Sequence, residues 1–307
     1  MQELLDQNKL ILIEAAIVER LRRSGHVALH PRLVNATLIY DESGRAELRK
    51  IYQSYIDIAR NGNLPLLLCT PTWRANRERV IESGVDENIN VDAVKFMNEL
   101  RREQGSYASN IKIGGLIGCK NDCYKPEEGL SSIEAIEFHD WQITQLAKTN
   151  LDFLIAQTLP NLHEAVGIAR AMMKTNVPYI ISFVINRNGE ILDGTSLMDA
   201  IRVLDNSVVT KPLGYMVNCA YPEFLNAASQ PIQLFDRLIG YQANASALDH
   251  AELDNCSELQ MEDLATWGNE MLNLNKQYGV NILGGCCGTG VDHLKYLVRS
   301  DRIISTI

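Results

Sequence analysis

The chain has 307 residues, 46% of them apolar, and a formal net charge of −9. That is enough material for one large domain with a sizeable core, and the acidic balance excludes nonspecific binding to nucleic acid, which needs a basic surface. No apolar run reaches about 18 residues, so no membrane span is expected, and the seven cysteines, an odd number, do not read as a disulfide framework.

MQELLDQNK lacks the apolar core of a secretory signal, so the expected location is the cytoplasm, whose reducing conditions suit thiolate chemistry. Residues 9–13 form the first predicted strand, and 14–25 (EAAIVERLRRSG) follow as a helix pattern ended by Gly25. Residues 46–61 have helical spacing, with Leu48, Ile51, Tyr52, Tyr55 and Ile58 on one face. A buried strand over 65–69 runs into CTPTWRAN, residues 69–76. Residues 91–103 read as helix and 111–117 as a glycine-rich third strand. The loop GCKNDCYKP, residues 118–126, holds Cys119 and Cys123 four apart. With no second close pair to complete a metal site, they are expected to be structural or surface thiols.

Residues 131–149 are a long helix pattern containing His139, expected to be a hydrogen-bonded residue of the core or its boundary. The fourth strand, 151–156, ends in Gln157, Thr158 and Pro160. A helix over 162–174, a strand over 178–184 and a helix over 194–204 follow, then a sixth strand over 213–218 with a helix over 222–229. The seventh strand, 235–242, runs into ANAS, with Asn244 just past its end. The penultimate helix is predicted over 257–278, with Ser257 and Glu262 in its first turns. The eighth strand, 280–283, leads into GGCCGTG, residues 284–290, and a helix begins near Val291. Strands and helices alternate about eight times without a low-complexity linker. That rhythm predicts one domain over residues 1–307 with an α/β fold, a (β/α)8 TIM barrel.

Cys286 and Cys287 stand side by side among four glycines, and Cys219 ends the sixth strand run. Adjacent cysteines are badly placed to bond each other, because a disulfide needs a particular Cβ geometry. Two thiolates on a glycine turn suit a soft cation such as Zn2+. Three protein ligands leave one tetrahedral position open, the pattern of a catalytic site, and barrel enzymes place such sites at the C-terminal ends of strands.

VNC at 217–219 followed by GGCC at 284–287 resembles the homocysteine S-methyltransferase family. The resemblance covers nearly the whole chain and is strongest over 35–76 and 211–297. It implies a zinc-dependent transferase in which Cys219, Cys286 and Cys287 hold the metal. The substrates would be a small-molecule thiol such as homocysteine and a methyl donor. The short single-domain form resembles members that use a sulfonium such as S-methylmethionine. It further implies substrate contacts at Glu14, Thr70, Thr72, Trp73, Gln157, Asn218 and Asn244, and Trp73 and Tyr124 are candidates to face a cationic donor.

Two departures stand on the acceptor side. Where the family carries an acid followed by glycines, this chain has Glu14 with Ala15, Ala16 and Val18; the alanines favour helix directly after Glu14. Where the family carries Glu-Thr, this chain has Gln157-Thr158, and Gln157 brings no charge. Both point to weaker use of homocysteine and to a less polar thiol. Two other readings fit the same residues: a barrel that keeps the metal site but only binds a small molecule, and a different zinc reaction on the same fold.

Overall fold

The computed structural model of the chain describes residues 1–248 and 261–304. Eight strands lie in chain order: β1 (Ile11–Ile13), β2 (Leu66–Cys69), β3 (Ile111–Gly118), β4 (Phe153–Leu159), β5 (Tyr179–Phe183), β6 (Gly214–Ala220), β7 (Leu238–Ala243) and β8 (Ile282–Gly285). Each pairs in parallel with the next, and β8 closes on β1 through Ile11↔Ile282 and Leu12↔Leu283. This is the expected (β/α)8 barrel.

Strand side chains alternate between two cores, as the period of two requires. Ile11, Ile13, Leu67, Phe153, Ile155, Ile180, Met216 and Ile282 fill the inside of the barrel. Their neighbours Leu12, Leu66, Leu68, Leu154, Ile181, Tyr215, Val217 and Leu283 pack outward under the helices. Gly114 makes room for a ring of the inner core: a Cβ there would lie 2.5 Å from the Phe153 ring.

Among the described residues the helices are α1 (Gln2–Gln7), α2 (Val18–Ser24), α3 (Glu42–Gly62), α4 (Arg77–Ser83), α5 (Ile89–Arg102), α6 (Ser132–Ala147), α7 (Leu162–Met172), α8 (Leu197–Ser207), α9 (Leu264–Tyr278) and α10 (Val291–Ile304). Leu5 of α1 joins the inner core. Side-chain oxygens start several helices by accepting an otherwise orphaned N–H: Asp41 for α3, Asn76 for α4, Asn161 for α7, Ser196 for α8 and Asp263 for α9. Ser131 and Glu134 form a reciprocal capping box on α6. No helix among the described residues is long and apolar enough to cross a membrane.

Four expectations need correction. The helix after β1 starts at Val18, not at Glu14. Residues 14–17 form a buried connection instead, so packing overrides the helix preference of Ala15 and Ala16. The predicted helix over 222–229 is two 3-10 turns, Pro222–Leu225 and Ala227–Ser229, separated by Asn226 at φ 49°. A third such turn, Ile232–Asp236, takes the start of the predicted seventh strand. The penultimate helix begins at Leu264, with Glu262 before it, while Ser257 lies outside the described residues.

Candidate metal centre

Cys219, Cys286 and Cys287 meet at the C-terminal mouth of the barrel, their sulfurs all within 4.8 Å of one another. Cys219 comes from β6, where the pairing with β7 shifts between Asn218 and Ala220. At that bulge Cys219 adopts φ 55°, a left-handed conformation that costs an ordinary residue on the order of 1–3 kcal/mol.

Cys286 and Cys287 follow β8 on a turn fixed by backbone bonds. Cys286 N donates to Ala243 O (2.7 Å), Cys287 N to Asn244 Oδ1 (3.1 Å), Ala245 N to Cys287 O (2.9 Å), and Gly288 N to the Glu19 carboxylate. Two glycines allow the turn: a Cβ on Gly284 would strike Ile13 O, and Gly288 sits at φ 79°. The sulfurs of Cys219 and Cys286 are in contact as a disulfide pair, with Cα atoms 5.4 Å apart. Reduced, the same three side chains are three soft donors converging on one point, which fits a thiolate-bound cation. The adjacent pair, Cys286 and Cys287, is not the bonded one.

A cavity of about 650 Å3 opens over these sulfurs. Of the expected substrate contacts, Glu14, Thr70, Trp73, Gln157, Asn218 and Asn244 line it, together with Tyr124; Thr72 does not. Thr72 is fully buried and pins the loop after β2, its hydroxyl donating to Leu116 O (2.7 Å) and pairing with the Thr70 hydroxyl (2.7 Å). Glu14 Oε2 accepts from Cys69 N (2.7 Å). Burial pushes the Glu14 carboxyl up to about 8, against the smaller opposing pull of that bond. At neutral pH burial therefore favours the protonated Glu14 carboxyl.

Gln157 donates through Nε2 to Gln242 Oε1, and Gln242 Nε2 donates to Glu14 O (3.1 Å). Strands β4, β7 and β1 are thus bridged across the mouth by two neutral amides. Sequence reasoning missed Gln242; its one signal is its place at the end of β7, two residues before Asn244. Asn244 works through the backbone of the cysteine turn, and its O also accepts from Trp267 Nε1 (3.0 Å). Asn218 uses its amide on the protein: Oδ1 accepts from Thr158 N (2.9 Å) and Ser182 Oγ (2.7 Å), and Nδ2 donates to Thr158 Oγ1 (3.2 Å).

Trp73 carries the Arg74 guanidinium over its ring at 4.1 Å, and its buried Nε1 has no hydrogen-bond partner among the described residues. Gly118 leaves it room: a Cβ there would lie 2.5 Å from Nε1. Cys119 and Cys123 are buried, and burial pushes both thiols up, away from reactivity. Cys123 and Tyr124 still face the cavity, on a loop held from below. Glu164, fully buried in α7, accepts from Lys120 N (2.8 Å), Leu130 N (3.4 Å) and His139 Nε2 (2.8 Å). His139 is thus the hydrogen-bonded core residue expected of it. His293 lies in α10, edge-on to Trp267, with Nδ1 accepting from Gly290 N (3.3 Å).

A sequence model described as homocysteine S-methyltransferase matches residues 9–300. Homocysteine S-methyltransferase YbgG of Bacillus subtilis (strain 168) is 24% identical over 99% of this chain and 98% of its own length. Betaine–homocysteine S-methyltransferase 1 of Bos taurus is 22% identical over 97% of this chain and 73% of its own. Among solved structures, the metallated form of the homocysteine methyltransferase MmuM from Escherichia coli superposes with a TM-score of 0.76 at 19% identity, covering 97% of this chain and 98% of that one. Its oxidised form superposes with a TM-score of 0.75, also at 19% identity, over 96% and 97% of the two chains. By the match over almost its full length, this chain belongs to the homocysteine S-methyltransferase family.

Proposed function

We propose that this chain is a zinc-dependent S-methyltransferase that moves a methyl group from a small donor, a sulfonium such as S-methylmethionine, to homocysteine or a related thiol. The observation that carries the proposal is the convergence of the Cys219, Cys286 and Cys287 sulfurs at the barrel mouth. When bound there, Zn2+ would hold the acceptor sulfur as an electron-rich thiolate able to attack a methyl group at neutral pH.

The chain's own residues do the rest. Asn244 and Ala243 hold the turn that presents Cys286 and Cys287. Gln157 and Gln242 orient the acceptor's polar end, on a wall completed by Glu14, whose carboxyl bonds Cys69 N. That wall offers neutral hydrogen-bonding groups and one carboxyl whose proton burial favours. An acceptor ammonium therefore gains less here than it would from an ionised carboxylate at position 157. Trp73, Thr70 and Tyr124 line the same cavity, and the donor is assigned to the wall they form. The Arg74 guanidinium already lies over the Trp73 ring, so a cationic donor would meet that ring beside a like charge.

The test uses reduced protein loaded with zinc. S-methylmethionine and betaine are each offered with homocysteine and with thiols lacking an α-amino group, and methylated product is measured by mass spectrometry. Product that forms with at least one pair and disappears on removal of the metal supports the reading. A zinc-loaded protein that methylates none of them speaks against it.

A further inference from the structure

Two residues of the barrel lie in the left-handed region while still inside strands: Thr158 of β4 at φ 61° and Cys219 of β6 at φ 55°. Each sits at a break in strand register, β4 against β5 between Ala156 and Leu159, and β6 against β7 between Asn218 and Ala220. Neither is glycine, and Thr158 is β-branched, a type for which positive φ is a clear outlier. Something has to hold both there.

The structure shows one side chain placed to do so. Asn218 lies on β6, immediately before Cys219, and reaches across β5 to β4. Its Oδ1 accepts from the backbone N–H of Thr158, its Nδ2 donates to the Thr158 hydroxyl, and Ser182 of β5 donates to the same Oδ1. Asn218 and Ser182 are both buried. The residue before one bulge thus holds the apex of the other. The Thr158 bulge aims Gln157 at the cavity, and the Cys219 bulge aims the first sulfur at it.

We infer that Asn218 is a positioning residue, which locks the acceptor wall of β4 and the sulfur of Cys219 into one geometry, and that it is not a substrate ligand. Side chains alternate in direction along a strand, so a bulge that relaxes by one residue turns its side chain from the mouth toward the helix layer. Without the Asn218 amide, Thr158 has no partner for its buried N–H. It relaxes toward ordinary strand angles, and the Cys219 bulge loses the anchor beside it. The expected loss is in two properties together, metal affinity and acceptor binding, although Asn218 touches neither ligand.

The inference rests on the three-cysteine metal reading, and the experiment separates the two. Asn218→Ala removes all three bonds. Asn218→Asp keeps both accepting bonds, and the Thr158 hydroxyl can turn to donate the third. Ser182→Ala removes one bond and leaves Asn218 in place, and it serves should Asn218→Ala not fold. Zinc affinity is read on reduced full-length protein by competition with a chromogenic chelator. Residues that orient metal ligands typically contribute about 10- to 100-fold in affinity. Asn218→Ala is expected to lose that much, Ser182→Ala roughly three- to tenfold, and Asn218→Asp less than about threefold. KM for the thiol should rise in Asn218→Ala and return in Asn218→Asp.

A second arm needs no metal. In chelator-treated protein, oxidised glutathione converts the Cys219 and Cys286 thiols to a disulfide with release of two reduced glutathiones. The rate reports how well Cys219 is aimed. Asn218→Ala should slow this cross-link about tenfold relative to wild type, and Asn218→Asp should restore it. Wild-type protein that takes no zinc would refute the metal reading and leave the cross-linking rate to judge Asn218. Folded Asn218→Ala with wild-type zinc affinity and cross-linking rate would overturn the inference, as would an Asn218→Asp that fails to rescue either.

Discussion

The Glu14 carboxyl gives the fold a pH dependence that one substitution should remove. Its proton is held up to about 8 in the folded chain, against an ordinary value of 4.5, because burial strips water from the charged form. Each unit of displacement corresponds to ~1.4 kcal/mol, so the full displacement is on the order of 4–5 kcal/mol. The folded state binds this proton more tightly than the unfolded state. The stabilisation is therefore complete below pH 4.5, falls as pH rises toward 8, and is gone above it. Glu14→Gln keeps an oxygen to accept from Cys69 N and carries no titrating proton. Unfolding free energies of wild type and variant, measured by urea denaturation at matched pH and in the same metal state, share every other titration. Their difference should move in favour of Glu14→Gln by roughly 3–4 kcal/mol between pH 5 and pH 8. A difference that stays constant within about 1 kcal/mol over that range would mean that Glu14 is ionised in the fold, and the neutral-wall account of the cavity would fail.

Each single change, Cys219→Ala, Cys286→Ala and Cys287→Ala, is expected to strip bound zinc from reduced protein in metal analysis; full retention in all three would remove the metal assignment. Gln157→Glu should improve homocysteine use. A charged hydrogen bond is worth roughly 1.5–3 kcal/mol, and the gain should fall at the low end because Gln242 must turn its amide away from Glu14 O to meet the new carboxylate. Wild-type protein that already matches ordinary family members on homocysteine would contradict this. In a series of thiols with and without an α-amino group, Glu14→Ala should leave the ranking nearly unchanged. A strong wild-type preference for the amino group that this variant abolishes would return Glu14 to the role of ammonium ligand. Gly284→Ala should lower the melting temperature, since the added methyl strikes Ile13 O in the closing strand pair; a variant as stable as wild type would show that the turn has slack.

The barrel was legible in the sequence because its signals are local. Apolar runs such as 65–69 and 111–117 end in loops, and each long helix carries a stripe like Leu48, Ile51 and Tyr55. The cysteine site was legible because VNC and GGCC sit at two strand ends. What stayed hidden depends on partners. Ala15 and Ala16 favour helix in isolation, yet they lie in a buried connection whose Ala16 carbonyl accepts from Tyr55 Oη, 39 residues away. The family resemblance implies substrate contacts at Thr72, Asn218 and Asn244 but does not show the bonds these side chains make within the protein; their partners Leu116, Thr158 and Cys287 come from other strands or loops. The left-handed Thr158 carries no local signal at all, since nothing about threonine favours it.

Glu164 ties both ends of one cavity wall to a single buried carboxylate, through Lys120 N and Leu130 N. The wall between them cannot open by fraying at one end. Releasing either end takes a bond from a carboxylate that is fully buried, and His139 holds that carboxylate to the α6–α7 pair. Residues 120–130 should therefore behave as one exchange unit with those helices. The Lys120 and Leu130 amides would trade their protons together and slowly, at the pace of a sub-global opening, although Tyr124 between them faces the cavity.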